Sequence, residues 1–151
     1  MRTVQNIIRS KPKPFNVIQP DSLVIDALNL LNSVNLSYLI VMEGNQFKGI
    51  FSERDYTRNV VLKGRASNNT IVREVMSTDI PVVQVTDTVE DCMNMINTHK
   101  TRYLVAYDDE LFVGVITIHD LLRQVIFSRE EVFNHKLTQS MIDTDESSRI
   151  Y

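Results

Sequence analysis

The sequence predicts a fold of the α/β class, of the α+β kind, made of two β-α-β-β-α units related by a pseudo-twofold axis. Three observations predict it: an internal repeat, the apolar periodicity within each copy, and the small size of each copy. Shifted by 65 positions, the chain lies on itself, and residues 19–58 match 84–123 without a gap. Identical pairs are Gln19/Gln84, Val24/Val89, Asp26/Asp91, Asn29/Asn94, Asn32/Asn97, Tyr38/Tyr103, Leu39/Leu104, Phe47/Phe112, Gly49/Gly114, Asp55/Asp120 and Arg58/Arg123. Apolar character is shared at Ile18/Val83, Ile40/Val105, Ile50/Val115 and Phe51/Ile116. A period of this length marks a structural unit used twice. A unit of roughly 45 residues buries too little apolar surface to stand alone. Two copies packed sheet against sheet solve that, and ligands favour the crevices where such halves meet.

Each copy opens on a short β run, Phe15–Ile18 or Val82–Val85. Ser22 and Asp87 read as N-caps of the helices that follow. Apolar residues then recur at helical spacing, Ile25, Ala27, Leu28 and Leu31 in one copy and Val89, Cys92, Met93 and Ile96 in the other. Two strands come next. Tyr38–Met42 and Gln46–Phe51 are joined by Glu43-Gly44-Asn45, a hairpin signal, and Tyr103–Tyr107 and Leu111–Ile116 by the weaker Asp108-Asp109-Glu110. A second helix closes each unit, from about Ser52 to Leu62 and from about Thr117 to Phe127.

Around the units the sequence divides into a short N-terminal arm or helix at 1–14, repeat one at 15–66, a linker at 67–80, repeat two at 81–127, a short C-terminal helix at 128–142 and a flexible tail at 143–151. Thr70–Met76 in the linker reads as one or two helical turns. Ser128-Arg129-Glu130-Glu131 reads as the capping box that opens the C-terminal helix.

Composition narrows the function. At 43% hydrophobic and 23% charged, the 151 residues make a globular protein with a real core. A net charge of -3 gives no global field for nucleic acid. Arg2, Arg9, Lys11 and Lys13 precede Phe15 with no acid among them, which reads as a solvated arm. Cys92 is the single cysteine, so no intrachain disulfide forms, and its apolar helical setting reads as a buried, inert thiol. No apolar run reaches the roughly 18 residues of a membrane span, and the N-terminus lacks a secretory core. A cytoplasmic protein is expected. His99 and His135 fall on helices with no metal-ligand partner at useful spacing, and no nucleophile with its base and no phosphate-binding P-loop is present.

The sharpest constellation is Gly49-Ile50-Phe51-Ser52-Glu53-Arg54-Asp55, matched by Gly114-Val115-Ile116-Thr117-Ile118-His119-Asp120. Its common form is Gly, two apolar residues, Ser or Thr, two variable residues, then Asp. One reading is a capping box, Ser or Thr at N-cap with an acid at N3. The other is a nucleotide site: a helix N-terminus attracts phosphate, a hydroxyl adds a donor, and an Asp one turn on accepts from both hydroxyls of a ribose. Capping explains the Ser or Thr better than the Asp, because Glu or Gln usually serves at N3.

This motif, repeated inside matching β-α-β-β-α patterns, resembles a tandem pair of CBS (cystathionine-β-synthase-type) domains, over residues 2 to about 140. The stretch from Gly49 to Arg58, continuing through Leu62-Lys63-Gly64-Arg65-Ala66-Ser67, is similar to small stand-alone CBS-pair proteins, as is Arg73-Glu74-Val75-Met76. The resemblance implies a Bateman module: a regulatory, non-enzymatic sensor of an adenosyl ligand such as AMP, ATP or NAD, in a homodimeric disc of four repeats, with no nucleic acid or membrane partner. By the family pattern Asp55 and Asp120 hold ribose hydroxyls, Ser52 and Thr117 face phosphate or ribose, and Arg102 meets phosphate. Val17, Leu39, Ile80, Val82 and Leu104 sandwich the adenine. Arg54 and Arg58, on one helix face, either meet phosphates or pair with surface acids, and His119 stands where relatives often have Gly. The competing expectation is a dimeric interaction module with no ligand, whose Asp residues only cap helices.

Overall fold

The computed structural model describes residues 2–13, 15–127 and 135–147, and divides into two compact units. One comprises Lys13–Asp79; the other comprises Met1–Pro12 and Ile80–Tyr151.

In the Lys13–Asp79 unit the order is β1 (Val17–Ile18), α2 (Val24–Val34), β2 (Tyr38–Glu43), β3 (Gln46–Ser52), α3 (Glu53–Asp55), a π-helical turn at Tyr56–Val61 and a 3-10 turn at Val72–Glu74. The sheet runs β1-β2-β3, with β1 parallel to β2 and β2 antiparallel to β3. Val24, Ala27 and Leu31 of α2 pack on Leu39, Val41 and Phe51 of the sheet, with Val60, Val72 and Val75 closing the cluster. Ile25, expected on the core face, is exposed. The cap also differs from expectation. Leu23, not Ser22, is the N-cap, and no side chain caps α2. The first-turn N–H groups are met by loop carbonyls instead, Val24 N–H donating to Thr70 O at 2.8 Å and Ile25 N–H to Ser67 O at 2.9 Å. A helix whose orphan donors are satisfied this way has no need of a capping hydroxyl.

The helix expected from Ser52 to Leu62 is broken in character. After three α-helical residues the chain widens to i→i−5 bonding, with Leu62 N–H on Thr57 O at 3.0 Å. Thr57, Asn59, Val60 and Val61 are poor helix formers, and this segment accommodates one extra residue per turn.

The other unit repeats the plan: β4 (Val82–Gln84), α4 (Val89–His99), β5 (Tyr103–Asp108), β6 (Leu111–Thr117) and α5 (Ile118–Phe127). Its sheet runs β4-β5-β6 with the same directions, and the register shift at Ala106/Tyr107 falls 65 positions from that at Val41/Met42. Here Thr88, not Asp87, is the N-cap, and it forms a full capping box with Asp91. Val89, Cys92, Met93 and Ile96 are all buried, as their spacing predicts. Burial pushes the Cys92 thiol up to about 12, so it is inert at neutral pH.

Two further helices complete this unit. The N-terminal stretch is not a solvated arm: α1 (Val4–Ser10) buries Val4, Ile7 and Ile8 in the same core as Leu104 and Ile116. Arg2, Arg9 and Lys13 stay exposed while Lys11 is half-buried, so charge alone misled. Helix α6 (His135–Ser147) buries Leu137 and Met141 there and runs past the expected end near 142, through part of the stretch read as a tail. The Ser128–Glu131 capping box lies outside the described residues. No helix among the described residues is long and apolar enough to cross a membrane.

Candidate functional site

Strand β3 delivers Ser52 to the start of α3, and β6 delivers Thr117 to the start of α5. In both units the acid three residues on turns back. Ser52 N–H donates to Asp55 Oδ2 at 2.8 Å and Ser52 Oγ accepts from Asp55 N–H at 3.2 Å. Thr117 N–H donates to Asp120 Oδ2 at 2.9 Å and Thr117 Oγ1 accepts from Asp120 N–H at 3.1 Å. Aspartate thus serves at N3, as it also does in the Thr88/Asp91 box. The expectation that N3 wants Glu or Gln was too narrow.

Capping uses only part of each carboxylate. In the Lys13–Asp79 unit, Asp55 Oδ1 accepts from the hydroxyl of Ser77 at 2.6 Å, and Oδ2 also accepts from Ser52 Oγ at 2.9 Å. Ser77 itself is exposed, while Asp55 is 7% exposed. Ser77 is held there by backbone pairing with Ile50, N–H to O at 2.8 and 2.9 Å in the two directions. That approach explains Gly49: a Cβ at this position would lie 2.6 Å from Ser77 O.

Burial raises the Asp55 carboxyl above its ordinary value, outweighing the hydrogen bonds of Ser77 and Ser52 and the charge of Arg54. Asp91 isolates the cause. It caps in the same way but sits in water, and there the backbone and side-chain hydrogen bonds from Thr88 win and lower its carboxyl. Desolvation is therefore what distinguishes Asp55.

The other unit handles its carboxylate differently. Lys11 Nζ reaches Asp120 Oδ2 at 2.7 Å and donates also to Val115 O at 2.8 Å. Arg123 Nη1 stands 3.7 Å from Asp120 Oδ1. Arg102, whose carbonyl accepts the N–H of Ile118 at 3.1 Å, forms an ion pair with Asp145 of α6 at 3.1 Å.

The structure thus brings together Ser52 with Asp55 and Thr117 with Asp120. Arg54 is half-buried, and Arg58 and His119 are exposed. Val17 and Val82 are exposed apolar strand residues and Ile80 is half-buried, but Leu39 and Leu104 are fully buried in the two cores. Their strand faces look onto α2 and α4, so neither presents its side chain to a ligand. Sequence reasoning missed Lys11, Ser77 and Asp145. None falls in the gapless repeat, and at the 65-residue offset Ser77 faces Pro12 and Lys11 faces Met76, so no shared residue type flagged them. Among the described residues no His, Cys, Asp and Glu cluster is suited to a metal ion.

Known proteins share this architecture. The CBS domain family model matches residues 4–62 and 72–126. The chain is 26% identical over 138 residues to the mitochondrial CBS domain-containing protein CBSX3 of Arabidopsis thaliana, covering 85% of this chain and 67% of that one. A solved CBS-domain protein of Burkholderia ambifaria, described as a candidate signal-transduction protein, is 32% identical with a TM-score of 0.76, covering 87% of this chain and 99% of that one. CBSX2, solved in complex with AMP, shares the fold at 21% identity and a TM-score of 0.67, covering 83% of this chain and 97% of that one. With two β-α-β-β-α units, a Gly–Ser/Thr–Asp motif at the same place in each, and a family match to both, the chain belongs to the CBS-domain family and carries two CBS domains in tandem.

Proposed function

We propose that this chain is a regulatory module that senses an adenine nucleotide of the AMP, ATP or NAD type, performs no chemistry of its own, and uses Asp55 as its principal ribose acceptor. The observation that carries this is the Asp55 carboxylate. It is buried and rigidly oriented by the cap, and its outer oxygen already holds a hydroxyl, that of exposed Ser77. A ribose diol offers the same kind of donor, so exchange is between like and like. At Asp120 a ribose would have to compete with the Lys11 ammonium, a charged partner at 2.7 Å.

In this reading Ser52 and Thr117 face ribose or phosphate, Arg54 and Arg58 supply positive charge for phosphate in one unit, and Arg102 and His119 in the other. Val17, Ile80 and Val82 are apolar surface for the base. The AMP held by CBSX2 supports the ligand class. A homodimeric disc of four repeats, working in the cytoplasm, fits two exposed apolar residues at equivalent helix positions, Val61 at 52% and Ile126 at 77% exposure. Ligand binding then acts by differential affinity for two arrangements of the module or its partner.

A second reading is a ligand-free interaction module, favoured by the fact that both carboxylates already find donors within their own chain. Thermal unfolding with AMP, ATP and NAD separates the two. A ligand that binds only the native state adds about 2.7 kcal/mol at a hundredfold excess over Kd. The sensor reading expects a rise of several degrees with at least one of the three; no shift with any at millimolar concentration leaves the interaction module.

A further inference from the structure

Ser77 holds the Asp55 oxygen that the cap leaves open. Of the two carboxylate oxygens, Oδ2 is committed to the cap, taking the N–H of Ser52 at 2.8 Å and its hydroxyl at 2.9 Å. Oδ1 is the oxygen left for a ligand, and it takes the Ser77 hydroxyl at 2.6 Å. Ser77 cannot yield that place by turning its side chain alone. A ribose oxygen set where Ser77 Oγ now sits would fall within bonding distance of Ser77 Cβ, so Cβ has to retreat first. Cβ moves only with the main chain, and the main chain is paired with Ile50, N–H to O at 2.8 and 2.9 Å in the two directions. On the strand side there is no slack, because a Cβ on Gly49 would lie 2.6 Å from Ser77 O. Retreat from β3 therefore breaks the bridge to Ile50.

We infer that Ser77 is a gate on Asp55: a ribose takes Oδ1 only as Ser77 withdraws, so occupancy opens the bridge between Ser77 and Ile50. The inference rests on the reading of Asp55 as the ribose acceptor. Ser77 is exposed, so its displaced hydroxyl passes to water and is not left as a buried, unpaired group. Further back the segment stays anchored, with Met76 N–H on Val72 O at 2.9 Å and Val75 O on Asn59 Nδ2 at 3.0 Å. The change is thus confined to Ser77 and the residues after it, Thr78 and Asp79, where this unit ends. Binding at Asp55 then frees Ser77 within the chain that leads into the next unit. The coupling is reciprocal: whatever holds Ser77 on Ile50 weakens nucleotide binding by the same factor.

Two measurements test this together. AMP is titrated calorimetrically into the wild-type protein and Ser77→Ala, and residue-resolved hydrogen exchange of the Ser77 and Ile50 amides is followed in the wild-type protein with and without AMP, a readout that needs no variant to fold. Ser77→Ala is expected to bind AMP about fivefold more tightly, the size of one neutral hydrogen bond that no longer has to break on binding. AMP is expected to speed exchange at Ser77 and Ile50, the reverse of the protection that a ligand gives where it merely packs on a strand. AMP that binds Ser77→Ala no more tightly than the wild-type protein, or that leaves exchange at the two amides unchanged or slowed, overturns the gate and leaves the sensor standing. AMP that binds neither protein removes the sensor reading and the gate with it.

Discussion

Asp55 and Asp120 occupy the same place in two copies of one unit, cap their helices with the same geometry, and are equally buried, yet their further partners differ in kind. Asp55 Oδ1 accepts from the hydroxyl of Ser77 at 2.6 Å; the capping oxygen of Asp120, Oδ2, also takes the ammonium of Lys11 at 2.7 Å. Each partner comes from a segment that lies outside the repeated core. Capping fixes where the carboxylate is, and the neighbouring segment decides whether it is matched by a neutral donor or by a charge. Duplication therefore produced two similar acids with different surroundings, one matched by a neutral hydroxyl and one engaged in a largely buried ion pair.

The largest expected difference is in what loss of the partner does. Lys11→Met leaves the Asp120 carboxylate buried beside a methionine and is expected to cost about 3 kcal/mol or more in urea unfolding. Ser77→Ala removes one neutral donor and is expected to cost about 1 kcal/mol. Equal costs would erase the distinction between the two acids.

A steric change comes next. Gly49→Ala places a Cβ 2.6 Å from the Ser77 carbonyl, so either the strand or the Ser77 segment must shift. A loss of about 1–3 kcal/mol is expected, with a weakened hold on Asp55. Unchanged stability would mean that the Ser77 segment moves aside freely and cannot orient the carboxylate.

The smallest effect at neutral pH, and the most informative in its pH dependence, is Asp55→Asn. The folded-state pKa of Asp55 is raised above the ordinary 3.8. The folded chain therefore holds this proton more tightly than the unfolded one. The stability the group contributes is full below the unfolded value and is lost as pH rises through the raised folded value. In Asp55→Asn that fall should vanish, while stability at pH 7 stays within about 1 kcal/mol of wild type because the buried charge is gone. Urea midpoints across acidic pH check this.

Much of the fold was legible because it was written twice. The paired Gly49/Gly114, Tyr38/Tyr103 and Asp55/Asp120 located the strands and helix starts, and Val89, Cys92, Met93 and Ile96 gave the buried face of α4. The capping box was visible in both motifs, although its use of Asp at N3 was undervalued. What the sequence withheld depends on distant contacts. Lys11 meets a residue 109 positions away, and Asp145 meets Arg102 from the far end of the chain. Neither has a local signature, and a run of four cations hid the apolar stripe Val4, Ile7, Ile8. Loop carbonyls at Thr70 and Ser67 replaced the cap expected of Ser22, a substitution that only tertiary structure can make. The strand leucines Leu39 and Leu104 were placed against a base by the resemblance alone, which does not say which face of each strand the helices cover.

The inequality of the two acids is tested most directly by calorimetric titration of AMP into the wild-type protein, Asp55→Asn and Asp120→Asn. Loss of binding in Asp55→Asn with binding retained in Asp120→Asn is the expected result and identifies the exchangeable carboxylate as the ribose acceptor. Binding retained in Asp55→Asn and lost in Asp120→Asn would contradict it, and would mean that Lys11 prepares the site rather than occupying it.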